Sequence, residues 1–450
     1  MFKAIEKFGE DFKNISKEKV IQIISHYDTD GITSAAIMMK ALQRDDRKFS
    51  VKIIKQLEGD YLEELKKEAE EKKEVLFFLD LGSSNLKALE NIKTDVFILD
   101  HHEIPNNSES PNVRIVNPHM FSEEVSSAGL CYLFTRQLNQ TNRNLASLAI
   151  VGMVGDMLEK TLSRVNNYIL KEAEDITIKK GLLIFSSTRP LHKALEFSSE
   201  IYIPGVTGSS IGAAGLLKEA DIKTENGTYR TLIDLNPEEM SRLIIAIMLR
   251  RADKERNDDS IIGNIYLTKF FNRVEDVREL STLINACSRL GHSDVALALC
   301  LGDTAAKTKA EEVYNSYKYE IIQALNWVAK EKKAESKGLV IINARSNIRD
   351  TIIGTVTSIL ACSGMYDEGT ILIGMANQDK NIKVSARISG RENKTINLQK
   401  IVTEILKDVG GGGGGGHAKA AGCVIPLEKE QEFIESAKKL IEKESMSIKI

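Results

Sequence analysis

Four groups of acidic residues and histidines in the first third of the chain have the composition of a metal site. They are His26-Tyr27-Asp28-Thr29-Asp30-Gly31, Asp80, Asp100-His101-His102 and Asp156. Three of these groups come where an apolar run ends, and the carboxyl ends of strands in an open parallel sheet face one shared crevice. Carboxylates and imidazoles from separate strands are therefore predicted to converge there, as a pair of divalent cations requires.

Each group also has a simpler interpretation. In extended backbone, residues two apart point to the same side, so His26, Asp28 and Asp30 would share one cavity; a turn that uses aspartate for local hydrogen bonds is the alternative. Asp80 could bridge two cations or cap the following helix, and Asp156 could simply be a helix cap. Side chains of neighbouring residues in an extended chain point in different directions. We therefore expect one of the two histidines after Asp100 to bind metal and the other to point towards substrate.

The pattern of apolar residues predicts an α/β protein with a mainly parallel sheet. Strands are predicted at 20–25, 51–54, 75–79, 96–99 and 114–116, separated by segments of helical length at 31–42, 61–73 and 85–91, which is typical of βαβ units. Two further helices are predicted at 126–138 and 144–154. From about 166 to 327 the pattern favours helices, with one long charged helix over 305–333 as a connector. Short strands then return at 338–342, 370–374 and 382–388, which indicates a second α/β unit.

A glycine run near the carboxyl terminus has two interpretations. Seven glycines, Gly410 to Gly416, precede His417. Such a run can be a flexible linker. The favoured interpretation is a phosphate cradle, because glycine lets backbone N–H groups approach an anion closely and a following helix N-terminus favours negative charge. Arg387 could pair with the same phosphate.

The composition limits the classes of protein to which this chain could belong. The 450 residues carry a formal net charge of −3 and are 42% hydrophobic, as in an ordinary globular protein. Aromatic residues make up only 6%, which predicts an aliphatic core. No apolar run reaches the ~20 residues of a membrane span, and no C-x-x-C motif is present, so we expect a cytoplasmic protein without a disulfide framework or membrane partner.

These residues, taken together and in this order, resemble the motifs of the DHH phosphoesterase superfamily. The carboxyl-terminal segments Ser385-Ala386-Arg387 and His417-Ala418-Lys419-Ala420-Ala421-Gly422 resemble its DHH-associated domain. The chain looks most like the archaeal branch of the RecJ-type exonucleases, which the segments 204–217 and 283–291 also resemble. Relatives in this group include a nuclease associated with the GINS replication complex and an inactive eukaryotic protein that travels with the replicative helicase.

The resemblance implies a domain order and a role for each matching residue. It implies a DHH catalytic domain at 1–190, a helical insertion that completes this lobe at 191–302, a connecting helix at 303–335 and a smaller α/β DHH-associated domain at 336–450 across a cleft. His26, Asp28 and Asp80 match ligands of one Mn²⁺; Asp30, Asp80, His101 and Asp156 match ligands of a second. Asp100 would orient a histidine, and His102 would lie near the scissile phosphate, which completes the implied catalytic set. The implied substrate-binding residues are His102, Ser385, Arg387, Gly413, Gly414, Gly415, Gly416 and His417.

The implied function is a metal-dependent exonuclease acting in replication or repair. It would hydrolyse phosphodiester bonds of single-stranded nucleic acid with two Mn²⁺, or Mg²⁺, per site; DNA and 5′-to-3′ polarity are favoured. Two other classes stay open: a nanoRNase or phosphodiesterase of small phosphates, and a replication-complex scaffold with residual nuclease activity. Expected partners are single-stranded DNA or RNA, GINS and the replicative helicase complex.

Overall fold

The computed structural model describes residues 1–57, 59–104, 110–184, 186–198, 201, 203–251, 261–331, 333–336, 338–363, 365–390, 396–410, 413–417 and 420–447. The chain forms two compact units. The first comprises Met1–Ala194, Ile222–Ile244 and Asn257–Tyr314, and the second comprises Leu195–Asp221, Ile245–Arg256 and Asn315–Ile450. The domain boundaries predicted at 190, 302 and 335 stay predictions.

The first unit is built on a five-stranded, fully parallel sheet. Its strands are β1 (Ile21–His26), β2 (Phe49–Ile54), β3 (Val75–Leu79), β4 (Val96–Leu99) and β5 (Val113–Val116). Their order in the sheet is β2-β1-β3-β4-β5, and each neighbouring pair is parallel. This confirms the prediction of a parallel sheet. The central strands β3 and β4 are buried throughout, as expected of strands covered on both faces.

The same part of the first unit contains a set of helices. They are α1 (Phe2–Lys13), α2 (Thr29–Arg44), α3 (Gly59–Lys72), α4 (Ser127–Leu138), α5 (Ala146–Gly155) and α6 (Arg164–Glu172). One face carries a cluster of five phenylalanines with ring centroids 5.1–5.9 Å apart, namely Phe8, Phe12, Phe77, Phe97 and Phe134. The expectation of an aliphatic core is therefore wrong at this place, because several of the few aromatic residues are concentrated here.

The middle of the chain contains a sheet where the sequence pattern favours helices. Strands β6 (Ile176–Leu182), β9 (Ile262–Phe270) and β10 (Arg273–Asp276) form an antiparallel sheet of order β10-β9-β6, and a short hairpin adds β7 (Thr224–Glu225) and β8 (Thr228–Tyr229). The helices are α7 (Leu191–Glu196), α8 (Ser210–Glu219), α9 (Pro237–Arg251), α10 (Val277–Arg289) and α11 (Ser293–Leu301). The long helix predicted at 305–333 is α12 (Thr304–Lys330); Lys332, near its predicted end, lies outside the described residues.

The second unit contains the predicted carboxyl-terminal α/β structure. Its mixed sheet has the order β11-β12-β13-β14-β16-β15, with strands β11 (Ala334–Ser336), β12 (Leu339–Arg345), β13 (Ile371–Gln378), β14 (Asn381–Ile388), β15 (Gly413–His417) and β16 (Ala420–Pro426). The helices are α13 (Asp350–Cys362), α14 (Leu398–Val409) and α15 (Glu430–Ser447). The core between sheet and helices is aliphatic around Phe433.

Short 3₁₀ helices complete the described secondary structure. They span Ser83–Leu89, Pro118–Phe121, Gln140–Leu145, Leu158–Lys160, Leu232–Asp234 and Leu427–Lys429. The first of them replaces the helix predicted at 85–91. Among the described residues, no helix combines the length and apolar character that crossing a bilayer requires.

Candidate metal centre

The structure brings together the acidic and histidine groups from four separate places in the first unit. His26 is the last residue of β1, Asp28 caps the start of α2, and Asp30 lies in the first turn of that helix. Asp80 directly follows β3, and the Asp100-His101-His102 segment directly follows β4. Asp156 is the C-cap of α5. The carboxyl ends of β1, β3 and β4 therefore share one site, as the parallel topology requires.

Within this site, three sets of potential ligand atoms lie close enough to hold a cation. The sets are His26/Asp28/Asp80, Asp30/His101/Asp156 and Asp80/His101/His102, with all ligand atoms of a set within 4.8 Å of one another. The first set corresponds to the ligands that the resemblance implies for one Mn²⁺ ion. The second set, together with Asp80, corresponds to the ligands that it implies for the other.

Asp80 lies between these sets and uses a different oxygen towards each. Its Oδ2 is 3.2 Å from His26 Nδ1, while its Oδ1 is 3.3 Å from His101 Nε2. The side chain is 1% exposed, and its Oδ1 also accepts a hydrogen bond from Ser127 Oγ at 3.0 Å. A carboxylate with one oxygen towards each set can bridge two cations, which in two-metal sites lie ~3.5–4 Å apart.

The loop from β1 into α2 is fixed by Gly31. Asp28 Oδ1 accepts the Gly31 N–H at 3.0 Å, which caps the helix in the usual way for aspartate. A Cβ on Gly31 would lie 2.2 Å from the carbonyl oxygen of His26. Only glycine allows the helix to start this close to the strand, and the short connection brings Asp28 and Asp30 into one site.

Asp30 is held at the amino-terminal end of α4. Its Oδ2 accepts the Ser127 N–H at 2.6 Å, and its Oδ1 accepts the Ala128 N–H at 3.0 Å. Free N–H groups at a helix start favour a carboxylate. Its Oδ2 lies 4.0 Å from His101 Nε2. A Cβ on Gly152 of α5 would approach Asp30 Oδ1 to 2.5 Å, so this glycine makes room for the carboxylate.

Asp100 orients His102. Asp100 is 1% exposed; its Oδ2 accepts the Ser83 N–H at 2.9 Å and its Oδ1 lies 2.8 Å from His102 Nδ1. The His102 side chain is half exposed, at 49%. Asp100 therefore holds a solvent-facing imidazole at the edge of the cluster; the role of His102 near a scissile phosphate stays a prediction.

The charges in the cluster favour the binding of a cation. Burial, and then the neighbouring Asp80, raises the pKa of Asp30 to about 7. Burial and the Asp30 charge raise the pKa of Asp156 well above its usual range. Burial alone would lower the pKa of the His26 and His101 imidazoles, but the charges of the surrounding carboxylates outweigh it and raise both pKa values well above 6.5.

Divalent cations fit this arrangement. The Oδ2 atom of Asp156 is buried and accepts no hydrogen bond from any described residue, although it lies 3.3 Å from His101 Nε2. A buried carboxylate oxygen without a hydrogen bond is costly, and a cation at this place would satisfy it. Carboxylate oxygens suit both Mn²⁺ and Mg²⁺, while the imidazoles in the set favour a transition metal such as Mn²⁺.

We expect cation binding to release protons from this cluster. A cation can bind His26 and His101 only when their imidazoles are neutral, and both pKa values are raised by the carboxylates. Affinity for Mn²⁺ should therefore weaken as the pH falls, starting above the usual imidazole pKa of 6.5. Calorimetric titrations at neutral pH in buffers of different ionisation enthalpy measure the release; a heat independent of buffer would contradict this expectation.

Three residues that support the cluster were not predicted from the sequence. Ser127 binds both Asp30 and Asp80, Asn117 donates to Ser83 Oγ and to the His102 carbonyl, and Asn285 accepts the Thr29 N–H. The sequence signals were weak: Ser127 follows a helix-capping serine, Asn117 precedes a proline, and Asn285 lies in a segment that had only a resemblance to support it.

The predicted substrate-binding residues of the second unit lie together on one sheet. Ser385 is opposite Gly422, which is opposite Gly415. Two residues further along the strands, Arg387 is opposite Ala420, which is opposite His417. Arg387 Nε donates to Ser358 Oγ of α13 at 2.9 Å.

The predicted setting of the glycine run is partly wrong. Gly413–His417 is the edge strand β15 and leads into another strand, β16, rather than into a helix N-terminus. Glycines give no side-chain periodicity from which a strand could be recognised. Gly411, Gly412, Ala418 and Lys419 lie outside the described residues.

Comparison with protein families defines the class of this protein. The N-terminal domain model of the DHH family matches residues 20–153, the DHH-CID domain model matches 184–262, and the DHHA1 domain model matches 335–443. The chain therefore belongs to the DHH phosphoesterase superfamily and carries its DHH, DHH-CID and DHHA1 domains.

Among individual proteins, an uncharacterized protein of Methanocaldococcus jannaschii is 28% identical over 452 residues, covering 98% of each chain. CDC45 from Entamoeba histolytica shares the fold with a TM-score of 0.64 at 13% identity, covering 98% of this chain and 97% of that one. RecJ from Thermus thermophilus, solved in complex with Mn²⁺, has a TM-score of 0.60 at 17% identity; the match covers 97% of this chain but only 54% of RecJ. The chain thus spans about half the length of that RecJ.

Proposed function

We propose that this protein is a two-metal phosphodiesterase that degrades single-stranded nucleic acid from an end. The observation that carries the proposal is the position of Asp80, buried between two sets of ligand atoms with one oxygen towards each. Membership of the DHH phosphoesterase superfamily supports phosphoester hydrolysis, and the resemblance to RecJ supports a nucleic-acid substrate. Mn²⁺ is the proposed metal, with Mg²⁺ as a substitute.

The candidate site residues of the first unit have separate proposed roles. One cation would be held by His26, Asp28 and Asp80. The other would be held by Asp30, Asp80, His101 and Asp156. Bound cations would lower the pKa of a water nucleophile and neutralise charge on the phosphate. His102, held by Asp100 at the edge of the cluster, would contact the scissile phosphate. The N–H groups of Ser127 and Ala128 favour the ionised form of Asp30.

The second unit would bind a substrate phosphate through Ser385, Arg387 and the glycines of β15. A Cβ on Gly415 would meet no described atom within 4 Å, whereas one on Gly414 would lie 2.8 Å from Leu406. Gly415 therefore presents open backbone at the sheet edge, where an anion can approach it closely.

Replacing Gly415 by valine should weaken binding of single strands about tenfold or more, because the branched side chain covers this backbone, a loss of ~1.4 kcal/mol. Gly415→Ala should have a smaller effect, and Mn²⁺ affinity should not change in either variant. Fluorescence anisotropy with a labelled oligonucleotide in Ca²⁺ measures the affinity. Equal affinity in all three proteins would mean that the run does not contact substrate.

Digestion of end-labelled oligonucleotides tests the proposed function. DNA and RNA of one sequence, labelled separately at each end, are incubated with the protein and Mn²⁺, alone and annealed to a complement. We expect stepwise products from single strands only, with DNA preferred and the 5′ label released first. Cleavage confined to the shortest oligomers would replace the proposal with a small-phosphate phosphodiesterase, and no cleavage of any substrate would favour a scaffold.

The resemblance also leads us to propose a replication complex as partner, through GINS or the replicative helicase. Purified protein and GINS from the same organism should co-elute in size-exclusion chromatography. Separate elution at micromolar concentrations would contradict this part of the proposal without affecting the hydrolytic part.

A further inference from the structure

One helix of the first unit, α10, contacts both of the turns that supply ligands from α2 and α5. It lies more than 250 positions along the chain from the first of these turns. Because the strands fix Asp80 and His101 through the sheet, these two turns are the parts of the centre that need support from outside the sheet. The contacts of α10 supply that support.

The first contact is a hydrogen bond from the turn between Asp28 and Asp30. Thr29 is 1% exposed, and as the first residue of α2 its N–H has no acceptor within the helix. The cap Asp28 accepts from Gly31 instead. Asn285 Oδ1 accepts the Thr29 N–H at 3.0 Å. Asn285 therefore satisfies a buried donor that lies between two predicted metal ligands.

A second contact joins the same turn of α2 to α10 at Ser281, one helical turn before Asn285. Thr29 Oγ1 donates to the Ser281 carbonyl at 2.8 Å. Gly155 packs on the same threonine, since a Cβ at Gly155 would lie 2.9 Å from Thr29 Cβ and 3.5 Å from Ser281 Oγ. Asp156 follows immediately, so the two ligand-bearing turns and α10 meet around Thr29.

A third contact holds the segment that follows Asp156. Arg278, in the first turn of α10, forms an ion pair with Glu159, and both side chains are largely buried, at 10% and 3% exposure. The pair joins α10 to the 3₁₀ turn that follows Asp156. Removing one partner of a buried pair leaves an uncompensated charge, so the segment after Asp156 is held against α10.

We infer that Asn285 is a positioning residue that sets how Asp28 and Asp30 divide between the two cations. With its acceptor removed, the Thr29 N–H between the two candidate ligands loses its partner, so the first turn of α2 is free to shift and to move Asp28 and Asp30 relative to the other ligands. This inference rests on the proposed two-cation centre, but it concerns cation binding and can be measured without hydrolysis. Residues that orient metal ligands typically contribute about 10–100-fold to metal affinity.

The test compares Asn285→Ala with Asn285→Asp and with Ser288→Ala. Aspartate keeps an acceptor for the Thr29 N–H, and Ser288 is a buried α10 residue whose hydroxyl has no hydrogen-bond partner among the described residues. Mn²⁺ binding is followed by calorimetry and by the electron paramagnetic resonance signal of coupled Mn²⁺ pairs. We expect Asn285→Ala to lose about 10–100-fold in affinity together with the coupled-pair signal. Asn285→Asp, which keeps the acceptor but adds a negative charge, should keep the pair signal, and Ser288→Ala should stay within about threefold of wild type in affinity.

Wild-type Mn²⁺ affinity and an unchanged pair signal in Asn285→Ala would overturn the inference. So would an equal loss in Ser288→Ala, which would show a general effect of altering α10. If Asn285→Ala does not fold, Asn285→Leu, which keeps the bulk of the side chain but removes the acceptor for the Thr29 N–H, must show the affinity loss instead. A wild-type protein that binds two Mn²⁺ but cleaves nothing would refute the proposed function and leave this test intact.

Discussion

Replacing Asp80 by asparagine should abolish hydrolysis, with a fall of roughly 10³-fold or more in turnover, because the carboxylate between the two ligand sets would be lost. The change is suited to the site because Asp80 has a φ of 60°, a conformation that asparagine tolerates better than alanine does. Asparagine also keeps an oxygen for Ser127 Oγ. The fold should therefore survive.

Turnover is measured on a single-stranded oligonucleotide at saturating Mn²⁺, and stability by thermal melting. Asp60→Asn is the matched control, since Asp60 is exposed at the start of α3 and should behave as wild type. Wild-type turnover in Asp80→Asn would remove the two-cation account, whatever the melting temperature.

Adding one methyl group at Gly31 should damage both the fold and the metal centre. The new Cβ would lie 2.2 Å from the His26 carbonyl oxygen and 2.6 Å from its carbon, and backbone atoms cannot move aside as a side chain can. Helix α2 would have to shift away from β1 and take Asp28 and Asp30 with it. We expect a loss of at least ~1–3 kcal/mol in unfolding free energy and a large loss of Mn²⁺ affinity.

Gly215→Ala is the control for this change. Gly215 lies inside α8, and a Cβ there meets no described atom within 4 Å, so alanine should be neutral or stabilise by up to ~1 kcal/mol. Urea unfolding and Mn²⁺ titration are measured on both variants. Equal behaviour of the two variants would show that the tight connection between β1 and α2 is not required.

The parallel sheet and the location of the site could be predicted because both depend on local signals. The strands before Asp80 and Asp100 are short apolar runs that are buried throughout, and a polar residue directly after each run identifies the strand end. Since the ends of parallel strands share one edge, the convergence of distant residues followed from topology alone.

The middle sheet could not be predicted, because its strands lack the expected alternation. Strand β6 exposes Thr177, Ile178, Lys179 and Lys180 in succession, and its partner β9 begins only at Ile262, far along the chain. A strand stabilised by a distant partner rather than by its own pattern is hard to distinguish from a loop or an irregular helix.

The supporting contacts of the centre were also hidden from the sequence. Asn285 meets Thr29 across 256 positions, and Ser127 meets Asp80 across 47. Neither residue type is unusual in its local context, so only the folded chain identifies them. The candidate ligands were recognisable because several groups of aspartate and histidine follow strand ends within the first 156 residues.

Anomalous diffraction from crystals grown with Mn²⁺ tests the central claim most directly. We predict two manganese peaks ~3.5–4 Å apart, one beside His26 and Asp28 and the other beside His101 and Asp156, with one Asp80 oxygen towards each. A single peak, or peaks to which Asp80 does not bind, would contradict the two-cation centre on which the proposed function rests.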